Sequence, residues 1–223
     1  MPFDEPPDFD LAEFTPKKTL ARISEIRTHL RDDLFPAVAE REDVAFITPF
    51  LAYLDSQAAR FAEWVNAPLD LLAIVIRNLL EYSILLPVVF DTQENKTLFL
   101  NEAYLDLQDL DRKLTRIFSK IGATVPRTSD EERPDWLPFA NDRLTGQRDP
   151  FDSWVYKFCS KIMHPTAIRV LAPDALLDPP KRLTLCFVGL QYLGRCFNLL
   201  SDEVLSSPHS TERTGDDFSP IIQ

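Results

Sequence analysis

The stretch LLAIVIRNLLEYSILLPVVF, residues 71 to 90, carries only two charged side chains, Arg77 and Glu81, both near its middle. A helix of that composition has to be covered nearly all round, by lipid or by other helices. Each charge at the centre of a bilayer costs on the order of 3 kcal/mol, and no basic flank anchors the ends. The run therefore reads as the core helix of a bundle rather than a membrane span. The rest of the chain has to supply its cover.

Several other segments have the pattern for that task. From Lys18 to Leu34, Ile23, Ile26, Leu30 and Leu34 recur at three- and four-residue spacing, which predicts an amphipathic helix ended by Pro36. A second helix starts near Val44 and carries Phe46, Phe50, Leu54, Ala58, Phe61 and Val65 on one side. Pro49 fits it only in a first turn or at a kink, and Asn66 and Pro68 close it. After the apolar run, Leu100, Ala103, Leu107, Leu110, Leu114, Ile117 and Ile121 form an antiparallel-bundle seam or a coiled-coil-like stripe that Gly122 stops. A helix from about Phe151 to Met163 and a last one with Cys186, Leu190, Leu193, Phe197, Leu200 and Val204 on one stripe complete the set. Eighteen prolines against five glycines suit proline-bounded helices better than a glycine-rich α/β scaffold. The expectation is an all-α fold, an irregular bundle of five to six helices. It comprises an arm at 1–16, one helical domain at 17–204 with a long loop at about 123–150, and a polar tail at 205–223.

The formal net charge of −11 argues against a broad nucleic-acid-binding surface or an anionic membrane surface, since both need clustered Lys and Arg. Cys159, Cys186 and Cys196 form no CxxC pair and sit in apolar helical contexts, as expected of a reducing compartment. The start, MPFDEPPDFDLAEF, is acidic and proline-broken, unlike a signal peptide. These features predict a cytoplasmic protein.

Two groups of side chains could carry chemistry. On the apolar helix, Asp70, Arg77 and Glu81 fall in one narrow stripe. Arg before Glu is the less favourable order for an intrahelical pair, so partners on another helix are expected. The stripe is either an ion-pair network tying helices together or a polar site. Near the end of the helix at 151–163, Val155, Phe158, Cys159 and Ile162 share one face, while Ser153, Lys157, Lys161 and His164 occupy the other, with Ser160 at its edge. Pro165 ends the helix at His164. A histidine there either stabilises the helix terminus or completes a cationic face, with Lys157 and Lys161, aimed at the Asp70–Arg77–Glu81 stripe or at an anionic ligand.

RNLLEY on the apolar helix and YKFCSKIMHPTA on the later one resemble a group of bacterial helical domains of unknown function. Their pattern, Arg-x-x-x-Glu with Ser-x-x-x-His-Pro-Ser/Thr, falls here on Arg77, Glu81, Ser160, His164, Pro165 and Thr166. The chain is more distantly similar to the HEPN superfamily of helical bundles, which includes ribonuclease toxins. That resemblance implies a nuclease or hydrolase of a toxin or phage-defence system, with His164 as acid/base and Arg77, Lys157 or Lys161 on phosphate. The superfamily's Arg-x4-6-His signature is missing, since no arginine lies between residues 149 and 163, and lysine does not reproduce the bidentate clamp.

No metal or cofactor is expected. The chain holds three histidines, lacks Glu-x-x-His, and shows no Walker A, GxGxxG, HExxH or GxSxG motif. A ligand pocket under the 123–150 loop would have Trp136 and Trp154 as walls. The leading expectation is a non-catalytic protein working through a protein partner or self-association, with the Leu100–Ile121 seam and the acidic ends as its motivation.

Overall fold

A computed structural model describes residues 14–101, 103, 150–163 and 179–206. Among them the chain is almost wholly helical, without a strand, as an all-α bundle requires. The elements are α1 (Pro16–His29), a π-helical turn (Leu30–Leu34), α2 (Phe35–Ala39), α3 (Val44–Trp64), α4 (Leu69–Phe90), α5 (93–101), α6 (Pro150–Met163) and α7 (Pro179–Ser206). The chain divides into two compact units, 1–86 with 149–223, and 87–148. In the second unit, the amide of Asn95 donates to the Val88 carbonyl at 2.8 Å and ties the start of α5 to the last turn of α4. The Leu100–Ile121 seam and the 123–150 loop fall almost entirely outside the described residues.

Thr15 caps α1, its hydroxyl accepting from Lys18 N–H at 3.4 Å, and Pro16 occupies the first helical position, where a missing N–H costs nothing. Pro36 does not end this helical segment, contrary to the sequence expectation. In an α ladder its ring would strike the carbonyl of Asp32. The backbone instead widens into one π turn, with the N–H of Phe35 reaching the carbonyl of Leu30, and Pro36 falls in the first turn of α2. Pro49 lies inside α3. Ala45, the residue whose carbonyl it leaves without an α-helical donor, is exposed and so open to water.

α4 is the centre of the first unit: Leu72, Ala73, Val75, Ile76, Leu79, Leu80 and Ile84 are all buried. α7 crosses it at Gly189, where an added Cβ would sit 2.5 Å from Phe61 Cζ on α3 and 3.1 Å from Ile76 Cγ1 on α4. Close approach of three helices thus depends on one missing side chain. Two arginines lock helix ends. Arg182 donates to the carbonyls of Val65 and Ala67 just beyond α3, both at 2.8 Å. Arg41 donates to those of Glu203 and Val204 at the end of α7, both at 3.0 Å, while its other nitrogens hold Asp43. Each places a cation at the negative end of a helix. Arg27 and Asp55 pair through two hydrogen bonds between α1 and α3.

Two described helices, Leu69–Phe90 and Pro180–Leu205, are long and apolar enough to cross a membrane by length and composition alone. In this fold 67% and 50% of their most apolar windows are buried within the protein, the arrangement a bundle core uses.

Candidate functional site

Arg77 and Glu81 meet α6 through Tyr156. Arg77 Nε donates to Glu81 Oε1 at 3.1 Å, and a terminal nitrogen of the guanidinium donates to the Tyr156 hydroxyl. The guanidinium carbon also lies 4.2 Å from the centroid of the Tyr156 ring. The expected partner on another helix is therefore present, and it is a tyrosine. The intrahelical pair forms as well, despite its unfavourable order, because Tyr156 fixes the guanidinium where Glu81 can reach it. Asp70, the third member of the stripe, is half-buried near the start of α4.

The surroundings of this node are largely apolar. Cys159, one turn beyond Tyr156, is fully buried, and loss of hydration pushes its thiol up to about 12 although the charge of Arg77 pulls the other way. Its burial suits packing, and a thiol held protonated is a poor nucleophile. Burial likewise raises the Tyr53 phenol on α3, with Arg60 opposing and Glu81 adding to the shift.

The remaining sequence-derived candidates divide. Lys157 and Lys161 are exposed on α6, and Ser160 is half-buried. At roughly 100° per residue, Lys157 and Lys161 stand about 100° and 140° around the helix from Tyr156. They belong to the outer face of α6, whereas Arg77 and Glu81 lie at its junction with α4. His164 lies outside the described residues.

Two features of α6 escape the sequence reading. The first is an aromatic row. Phe151 and Trp154 are each 49% exposed, and Phe158, expected on the packed face, is only partly buried. The Trp154 and Phe158 rings lie nearly parallel at 5.3 Å, and Phe151 adds a ring 6.1 Å from Trp154. The three-and-four spacing of these rings was the available signal. The apolar arc of α6 is simply wider than its neighbours cover, and its open edge runs beside Lys157 and Lys161.

The second is Asp152, buried at 3% exposure. The Tyr192 hydroxyl of α7 donates to its Oδ1 at 2.7 Å, and Arg195 Nη1 stands 3.7 Å from Oδ2. An acidic residue in the first turn of a helix is ordinary in sequence; its burial against α7 comes only from the fold. Arg195 also borders a shallow groove of about 490 Å³ along the outer side of α7, between Gln191, Asn198 and Asp202.

Among the described residues no cluster of three His, Cys, Asp or Glu could hold a metal ion. Compared with family models, curated proteins and solved structures, the chain matches none of them.

Proposed function

We propose that the protein is a non-catalytic, cytoplasmic binding protein that engages another protein, or a second copy of itself, through the outer face of α6. The observation that carries this reading is the stacked row Phe151–Trp154–Phe158, with two of its rings half exposed to solvent beside Lys157 and Lys161. Large aromatics are the residues that interfaces enrich, and stacking fixes their geometry before a partner arrives. The Arg77–Glu81–Tyr156 node then serves to hold α6 against the core. Lys157 replaced by photoreactive p-benzoylphenylalanine should give a discrete adduct in cells, identifiable by mass spectrometry and lost in Trp154→Ala. Adduct formation no greater than from the same group at exposed Glu63 would sink the reading.

A second reading keeps Arg77 and Glu81 with His164 as the centre of a HEPN-like nuclease or hydrolase of a toxin or phage-defence system. What favours it is that Arg77, which holds Glu81, is bonded to Tyr156 of α6, the helix leading to His164 in sequence. It stands second because Glu81 and Tyr156 already occupy the guanidinium of Arg77. A His164 titration that moves in Glu81→Gln, with RNA cleavage lost in His164→Ala, would bring it forward. An unmoved titration and no cleavage would remove it.

A further inference from the structure

One stripe of α7 is turned away from the bundle. Gln191, Arg195, Asn198, Asp202 and Leu205 are exposed along it, and every described residue lining the groove of about 490 Å³ belongs to this helix. Gly194 is one of those lining residues. A Cβ added there would meet nothing within 4 Å, so packing within the chain does not require this glycine, unlike Gly189. Glycine inside a helix weakens it relative to alanine, and no close approach within the chain offsets that here.

Two further features lie on the same stripe. Leu205 is 67% exposed, more than any other large apolar side chain among the described residues. Arg195 and Asp202 carry opposite charges seven residues apart, about 10 Å along the helix. Arg195 approaches Asp152 through Nη1 alone, at 3.7 Å, and Asp202 has no ion pair among the described residues.

These positions are symmetrically placed. At about 100° per residue, Arg195 and Asp202 lie about 60° and 40° to one side of Asn198, whereas Gly194 and Leu205 lie about 40° and 20° to the other. A twofold axis across α7, between Asn198 and Leu199, sets a second copy antiparallel and makes like sides of the stripe meet. Arg195 then comes level with Asp202 of the second copy, and Asp202 with its Arg195. Leu205 of the second copy comes level with Tyr192. Helical side chains lean toward their own N-terminus, which in an antiparallel pair carries that leucine over Gly194.

We infer that α7 binds α7 of a second copy of this chain, antiparallel, with two Arg195–Asp202 ion pairs and each Leu205 seated over Gly194 of the other copy. The charges choose the occupant and its direction, since a parallel copy in register would set Arg195 against Arg195. The contact is defined by α7 alone and stands whether or not the α6 face binds another protein. About three turns of helix make a small interface, so the dimer is weak and depends on concentration.

Sedimentation velocity on the full chain over about a hundredfold range of concentration should show monomer passing to dimer. Asp202→Lys and Arg195→Glu should each weaken association by about tenfold or more. Mixing the two variants restores an opposite-charge pair at both ends, so native mass spectrometry should show the heterodimer well above either homodimer. Gly194→Leu should weaken the dimer while the urea midpoint stays the same or rises, which separates lost docking from lost folding. Asp202→Lys and Gly194→Leu decide the matter if Arg195→Glu, placed near Asp152, fails to fold. A monomer at every concentration would overturn the inference, as would homodimers as abundant as the heterodimer in the mixture. A dimer lost in Trp154→Ala but unchanged in Asp202→Lys would also overturn it, because the copies would then meet through α6.

Discussion

The guanidinium carbon of Arg77 lies 4.2 Å from the ring centroid of Tyr156 while its Nε holds Glu81 at 3.1 Å. One cation therefore joins α4 to α6 by stacking and along α4 by charge. The two links differ in worth. Glu81 is more than a third exposed, so its attraction is screened, whereas the tyrosine contact sits closer to the core.

That difference predicts an order of effects. Arg77→Ala should cost about 1–2 kcal/mol in urea unfolding. Tyr156→Phe keeps the ring and loses the hydroxyl acceptor, so about 0.5–1 kcal/mol is expected. Glu81→Gln should cost less than about 0.5 kcal/mol. A Glu81 variant as damaging as Arg77→Ala would mean that the ion pair, rather than the ring, holds the arginine.

Gly189 gives a sharper case. A methyl group there would meet the ring of Phe61 at 2.5 and 2.8 Å, and Phe61 is fully buried. Gly189→Ala should therefore destabilise by roughly 1–3 kcal/mol through overpacking, outweighing its gain in helix propensity. Combining it with Phe61→Leu opens space where the methyl needs it. The double variant should be more stable than the sum of the single losses implies, with a coupling of at least about 0.5 kcal/mol. Additive losses would show that α7 shifts rather than Phe61.

Asp152 and Tyr192 form a buried side-chain contact between α6 and α7. Tyr192→Phe leaves a carboxylate at 3% exposure with one hydrogen bond fewer, at a cost of about 1–3 kcal/mol. Asp152→Asn retains an acceptor for the hydroxyl and should cost less than Asp152→Ala. Arg195 is about half exposed and 3.7 Å away, so Arg195→Ala should change stability by less than about 1 kcal/mol. Equal losses for Asn and Ala at 152 would show that the charge matters more than the hydrogen bond.

The all-α class and the limits of the long helices were legible in the sequence because apolar spacing is set by helix geometry. The expected end of the apolar run near Phe90 and the start of α6 near Phe151 fall within a residue or so of α4 and α6. Pro36 misled because its effect depends on whether the backbone can widen locally, and a π turn leaves no mark in spacing. Arg77 and Glu81 were legible as groups needing partners, but Tyr156 was not, since nothing in a linear chain says which residue of α6 meets α4. The aromatic row was legible as residues and illegible as exposed, because exposure depends on how much of the wide apolar arc the neighbours cover.

The buried thiols weaken the fold at alkaline pH. Burial raises Cys159 from an ordinary value of 9 to about 12 and pushes Cys186 and Cys196 up as well. Below pH 9 these thiols are protonated in both folded and unfolded chains, and their contribution is fully present. Above 9 the unfolded chain loses protons that the folded one keeps, so stability falls as pH rises toward the folded values. Between 9 and about 12 Cys159 contributes a slope of at most about 1.4 kcal/mol per pH unit. Urea midpoints measured from pH 8 to pH 11 should drop steeply above 9, and Cys159→Ala should flatten the curve while lowering it at pH 8. The same burial predicts that a thiol reagent at pH 8 leaves all three cysteines unmodified until urea unfolds the chain. Fast modification of Cys159 in the folded protein would mean that α6 detaches from α4 under native conditions, and that the Arg77–Tyr156 contact does not hold it in place.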